Sequence, residues 1–106
     1  MGSGGKKTFS GSYEGTGAQL ALSTPGFSPS YVKIVGIDNA GESTKTRDMA
    51  DETYMVTYVT AAPDAGQELA GLTAGAGIQL KSDGFYVGTD GFINTSGNVY
   101  HFLAWE

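Results

Sequence analysis

The chain has 106 residues, 17 of them glycine, with 16% charged residues, 11% aromatics and no cysteine. That length fits one domain, and the lack of cysteine excludes disulfides, thiolate metal sites and cysteine nucleophiles. Eleven acidic against six basic side chains give a net charge of −5, and a phosphate-binding surface would instead show a basic patch. Nucleic acid is therefore not an expected partner. No apolar run approaches the ~20 residues that span a bilayer, so no membrane partner is expected either.

Glycine at this density argues against long helices, where each glycine costs about 1 kcal/mol relative to alanine. Residues 1–7, MGSGGKK, have no apolar anchor and are expected to form a flexible arm, leaving 8–106 as the folded domain. TFSGSY at 8–13 predicts a strand, EGTGA a turn and QLALS at 19–23 a second short strand. TPGFSPS is loop chemistry. YVKIVGID at 31–38 is the strongest strand of the first half, carrying Val32, Ile34, Val35 and Ile37. Asp38-Asn39-Ala40-Gly41 reads as a turn.

Residues 42–52 are polar and fit either a strand or a loop. TYMVTYVTA at 53–61 predicts a strand with Tyr54, Val56 and Tyr58 on one face. The small residues of 62–77 predict a long connection with a single helical turn around Gln67–Leu72. IQLKSDGFYVGT at 78–89 predicts a hairpin turning at Ser82-Asp83-Gly84. NVYHFLAWE at 98–106 predicts a last strand.

That strand is apolar on both sides. Val99, His101, Leu103 and Trp105 share one face; Tyr100, Phe102 and Ala104 share the other. The pattern predicts a central strand covered twice, on one side by the core and on the other by a second sheet or a neighbouring subunit. Short strands with turn signals between them predict an all-β, single-domain β-sandwich, jelly-roll-like, of about eight antiparallel strands.

Chemistry is sparse. His101 is the single histidine and reads as a structural residue. No nucleophile-elbow pattern accompanies it, and no catalytic residue is expected. Asp48, Asp51 and Glu52 could supply oxygens to calcium, but a solvated charged loop accounts for them, so neither metal nor cofactor is expected. Asp83 and Asp90 precede glycines in Asx-type turns. Tyr31, Tyr54, Tyr58, Tyr86 and Trp105 form either a sugar-stacking platform or core and boundary packing.

Four segments in fixed order, SYEGTGA, GFSPSYVKIVG, GIQLKSDGFYVGT and INTSGNVYHFLAWE, resemble a small β-sandwich domain of tailed-phage virion proteins. The matching positions are Gly26, Phe27, Pro29, Val32 and Ile34; Asp83, Gly84, Phe85, Val87 and Gly88; and Asn94, Ser96, Gly97 and Tyr100. The resemblance implies a non-enzymatic virion protein. A domain without shaft or heptads suits a head decoration, or cement, protein on the outer surface of the phage particle. Its partner would be the major capsid protein, and it would act as a symmetric oligomer, with a trimer expected. The alternative implied is a receptor- or glycan-binding module of a tail fibre or spike. Lys6, Lys7, Tyr100, Phe102 and Trp105 are the expected partner contacts.

Overall fold

The computed structural model describes residues 7–36, 41–58, 66–69 and 72–106, with the backbone alone at 41, 57–58 and 66–69. The strands are β1 (Thr8–Glu14), β2 (Leu20–Leu22), β3 (Tyr31–Gly36), β4 (Gly41–Thr46), β5 (Tyr54–Tyr58), β6 (Gly66–Leu69), β7 (Ile78–Lys81), β8 (Gly84–Val87) and β9 (Val99–Trp105). A single short helix, α1 (Gly91–Asn94), precedes β9 among these residues. The strands form a six-stranded sheet, β1-β9-β3-β4-β5-β6, and a three-stranded sheet, β2-β8-β7. Every pairing is antiparallel. The expected all-β domain therefore forms. A jelly roll of two Greek keys in eight strands is a finer statement that this six-and-three order does not carry.

β9 inserts between the first and third strands. It pairs along its whole length with β1, from Thr8↔Trp105 to Glu14↔Val99, and with β3 from Tyr31↔Trp105 to Gly36↔Tyr100. Its even residues Tyr100, Phe102 and Ala104 are buried with Val32, Ile34, Tyr54 and Val56. The small sheet brings Ile78, Phe85 and Val87 to the same cluster. Phe85 meets Phe102 edge-on, with ring centroids 5.1 Å apart, so this pair joins the two sheets. Each fully buried aromatic contributes about 1.5–3 kcal/mol from removal of apolar surface from water.

The β7–β8 hairpin has the expected inward set, with Ile78↔Val87 and Leu80↔Phe85 in register. Gly84 is required by close approach: a Cβ there would lie 1.9 Å from the Leu22 carbonyl oxygen. The polar segment after residue 40 resolves into strand β4 and then a turn. The helical turn expected around Gln67–Leu72 does not form over its described part, because 66–69 pair with β5 from Tyr54↔Leu69 to Thr57↔Gly66. An isolated helical turn fixes several residues for one hydrogen bond, whereas the free edge of β5 offers a ready ladder. The helix lies instead at 91–94, where Asp90 caps it by accepting from the Phe92 N–H at 3.0 Å. Of the expected Asp38–Gly41 turn, residues 38–40 lie outside the described residues, and Gly41 opens β4.

Asn94 ties the loops around this helix. It is buried; its Oδ1 accepts from the Thr16 N–H at 2.7 Å, and its Nδ2 donates to the carbonyls of Ala18 at 2.6 Å and Gly88 at 2.8 Å. The Tyr13 hydroxyl donates to the Ile93 carbonyl at 2.7 Å, and the Tyr100 hydroxyl accepts from the Thr95 N–H at 2.9 Å. The two rings stack at 5.1 Å. Burial, and secondarily Tyr100, pushes the Tyr13 phenol far above its ordinary value, so it remains a neutral donor at any physiological pH. Removing Asn94 leaves the buried Gly88 carbonyl without this partner and releases the part-buried bonds to Thr16 and Ala18, and a buried group left unpaired costs about 1–3 kcal/mol. Asn94→Ala is expected to lower unfolding stability by at least ~2 kcal/mol in urea titration, and an unchanged midpoint would contradict this role.

Candidate functional site

The six-stranded sheet has an inner face on the core and an outer face open to solvent. Alternation along the strands assigns the outer set. One cross-strand row runs Thr8, Trp105, Tyr31, Thr46; the next runs Ser10, Leu103, Lys33, Thr44, Met55; a third begins Ser12, His101, Val35, Glu42. Leu103 and Val35 are 42% and 39% exposed, and Val99 and Met55 are similarly open. These apolar side chains stand on three strands, β3, β5 and β9, and share the face with serine, threonine, lysine, histidine and glutamate side chains.

The second cover expected over β9 is therefore not supplied by the described residues. The small sheet packs on the Tyr100, Phe102 and Ala104 side alone, and the Val99, His101, Leu103 and Trp105 side stays outward. At one end Trp105 and Tyr31 meet edge-to-face at 4.8 Å. At the centre Ser10, Ser12, Lys33, Val35, His101 and Leu103 line an open depression of about 410 Å³. Lys33 Nζ pairs with Glu42 Oε1 at 3.0 Å across β3 and β4, which neutralises the charge beside the apolar centre. The depression thus offers hydroxyls, an imidazole and a paired ammonium around aliphatic surface.

The expected contact residues divide. Tyr100 and Phe102 are buried at 0% and 3% and face the core, so they present no surface to a partner; the correction follows from which side the small sheet covers. Trp105 lies on the outer face. Lys7 is exposed and extends the β1–β9 ladder, with the Glu106 N–H donating to its carbonyl at 2.8 Å. Lys6 lies outside the described residues. Val35, Leu103 and Lys33 line the outer-face depression and were not among the expected contacts. The odd-numbered alternation of β9 carried that signal for Leu103.

The tyrosine platform does not assemble. Tyr54 is in the core, and Tyr86 lies on the small sheet beneath Lys81, whose Nζ is 5.0 Å from the ring centroid. The side chain of Tyr58 lies outside the described residues. Tyr31 and Trp105 alone remain together.

The acidic segment 48–52 is likewise not one solvated loop. Glu52 is buried with φ of 72°, a left-handed conformation costing about 1–2 kcal/mol for a non-glycine residue. Its carboxylate accepts from the Gly77 N–H at 2.8 Å and from the Gln79 side chain, stitching the β4–β5 connection to β7. A Cβ on Gly77 would lie 1.8 Å from the Glu52 carbonyl oxygen, so only glycine fits there. Beneath it Lys45, 1% exposed, donates to the carbonyls of Ala50 and, at 2.7 Å, Thr53. Burial lowers the Lys45 ammonium from its ordinary value, and Asp51 and Glu52 oppose that shift. Among the described residues no group of three or more His, Asp or Glu side chains is placed to hold a metal ion.

A second depression, about 460 Å³, includes Lys45, Arg47 and Lys81 in its lining. Its cations already have partners. Arg47 donates to the Ser28 and Pro29 carbonyls at 3.1 and 3.0 Å, and Lys81 pairs with Asp83 at 3.1 Å. Among the described residues no helix is long and apolar enough to cross a membrane. No protein-family model, no curated protein and no solved structure matches the chain.

Burial alone would raise the Glu52 carboxyl, but the hydrogen bonds from Gln79 and the backbone of Gly75 and Gly77, with the Lys45 charge, hold it below its ordinary value. A carboxyl depressed on folding contributes stability above its unfolded pKa, about 4.3, and that contribution is lost as pH falls through the folded value. Glu52→Gln is expected to lower stability at pH 7 and to flatten the fall below about pH 4.3. Equal acid slopes for the two proteins in thermal melts would contradict the assignment.

Proposed function

We propose that this chain is a non-enzymatic binding protein of a phage particle, a head decoration protein that holds the capsid exterior through the outer face of its six-stranded sheet. The observation that carries the binding role is the set of exposed apolar side chains Val35, Leu103, Met55 and Val99 on the outer face, with Tyr31 and Trp105 at one end. An extended apolar patch on a small domain marks an interaction surface, and aromatic residues concentrate at such interfaces. The virion assignment rests on the four ordered sequence segments and on the acidic balance, which suits an outer surface. The partner is the major capsid protein, and the chain acts as a homo-oligomer.

A second reading has its own observation. The Tyr31–Trp105 pair adjoins a depression bearing Ser10, Ser12, Lys33 and His101, and aromatic surface beside hydrogen-bonding groups suits a sugar. On that reading the domain is a receptor- or glycan-binding module of a tail fibre or spike.

The readings separate in virions that lack this protein. A decoration protein stabilises the assembled shell by binding it, by about 2.7 kcal/mol at a free concentration of 100 times Kd. Stripped virions are expected to rupture earlier under heat or chelator and still adsorb to cells, and added protein restores the shell. Val35→Glu with Leu103→Glu, at exposed positions, is expected to leave the fold intact and weaken restoration at least tenfold. Normal head stability with lost adsorption would replace this reading with the second.

A further inference from the structure

We propose that β1 is a self-pairing edge through which two copies of this chain join into one continuous sheet about a two-fold axis at Gly11. This specifies the homo-oligomer named above, but it does not depend on the virion assignment. The two can fail separately.

Four strands end sheets in this fold: β1 and β6 in the larger, β2 and β7 in the smaller. Three are short, at four, three and four residues, while β1 has seven. Proteins commonly guard an edge with brevity, proline, lysine or a bulge. Thr8–Glu14 has none of these within it, and no described residue pairs with its outer side.

Its free hydrogen-bonding groups are set by the ladder on the other side. The Glu106 N–H donates to the Lys7 carbonyl at 2.8 Å, and the Gly15 N–H to the Asn98 carbonyl at 2.7 Å. Odd residues of β1 therefore bond to β9, and the alternation of an antiparallel ladder turns the N–H and C=O of Thr8, Ser10, Ser12 and Glu14 to the open edge.

The sequence around Gly11 reads nearly the same in both directions: Phe9-Ser10-Gly11-Ser12-Tyr13. Antiparallel pairing centred on Gly11 sets Ser10 against the partner's Ser12, Phe9 against the partner's Tyr13 and Thr8 against the partner's Glu14. The hydrogen-bonded pairs in that register are the even ones, which are the residues whose groups are free. Phe9, half-buried against Phe102, gains a cross-strand aromatic neighbour, a favourable pairing on one sheet face.

Charge does not oppose a second copy in this register. Each chain carries −5, so two copies repel unless the contact is locally neutral. Within β1 the one charge is Glu14, and Lys7 precedes the strand. The two-fold places the Glu14 side chains at opposite ends, about 20 Å apart by strand rise, each opposite the partner's neutral Thr8. The joined edge is about 24 Å long and one strand deep, so it buries far less than the ~800 Å² per partner of a standard interface. A reversible dimer follows, in place of the trimer expected from the sequence.

The test uses the whole chain. Sedimentation velocity should show a dimer at high concentration that dissociates on dilution. Amides of Ser10 and Ser12 should exchange rapidly in dilute protein and slow with dimerisation, while Gly11 and Tyr13 stay protected throughout. S10K/S12K sets lysine against lysine and should raise the dissociation constant at least tenfold without changing the circular dichroism. S10K/S12E sets lysine against the partner's glutamate in this register and should restore the dimer. Four results would each overturn the proposal: a monomer at every concentration up to ~1 mM, a trimer, a dimer indifferent to S10K/S12K, or S10K/S12E as monomeric as S10K/S12K. Should S10K/S12K unfold, the exchange contrast between Ser10 and Gly11 in the native chain decides alone.

Discussion

The insertion of β9 between β1 and β3 is the constraint on which the rest of the structure depends. A strand paired on both sides spends all its backbone groups in ladders, so its side chains alone distinguish inside from outside. Tyr100, Phe102 and Ala104 supply the core on one side, and Val99, His101, Leu103 and Trp105 supply the exposed face on the other. Moving the register by one residue would exchange these sets. Core and candidate binding face are therefore two consequences of one alignment. Because β9 closes the chain between its earliest strands, pairing of residues nearly a chain length apart must precede the final sheet, a topology that folds slowly.

The loops are held by buried polar groups more than by apolar packing. Asn94 gathers three backbone partners from two segments, 16–18 and Gly88, and Glu52 and Lys45 tie the β4–β5 connection in a similar way. In a chain with 17 glycines, where chain entropy is costly to remove, such ties fix segments that have little side-chain surface to bury. They lie on the core side and at the ends of the sheets, leaving the outer face composed of strand residues alone. A rigid scaffold beneath an open face suits recognition without large rearrangement.

Most strands were legible in the sequence because apolar alternation marks them: β3, β5, the β7–β8 hairpin and β9 all sit where Val, Ile, Tyr and Phe recur with period two. β4 was not decidable, since its inward residues are Ser43 and Lys45, and a buried lysine looks in sequence like a solvated one. β6 was misread because a glycine-rich segment has no period, and its strand conformation comes from the edge of β5. The candidate site was half legible. The alternation of β9 separated two faces, but nothing local says which one the small sheet will cover, and the inward pair Tyr100 and Phe102 was expected at the surface. Edge position is likewise invisible in the strand itself: the near-palindrome about Gly11 acquires meaning from β1 being the end of a sheet.

The molecule thus presents a core-backed sheet whose free side is apolar at the centre, aromatic at one end and charge-paired at Lys33 and Glu42. The central claim is that this face, and not the Tyr100–Phe102 side, meets the partner. Hydroxyl-radical footprinting of the chain, free and bound to capsid shells, tests it most directly. Leu103, Tyr31 and Trp105 should be oxidised in the free protein and shielded on the shell, with Tyr100 and Phe102 unlabelled in both. Equal labelling of Leu103, Tyr31 and Trp105 in the two states, or labelling of Tyr100 and Phe102 in the free protein, would contradict it.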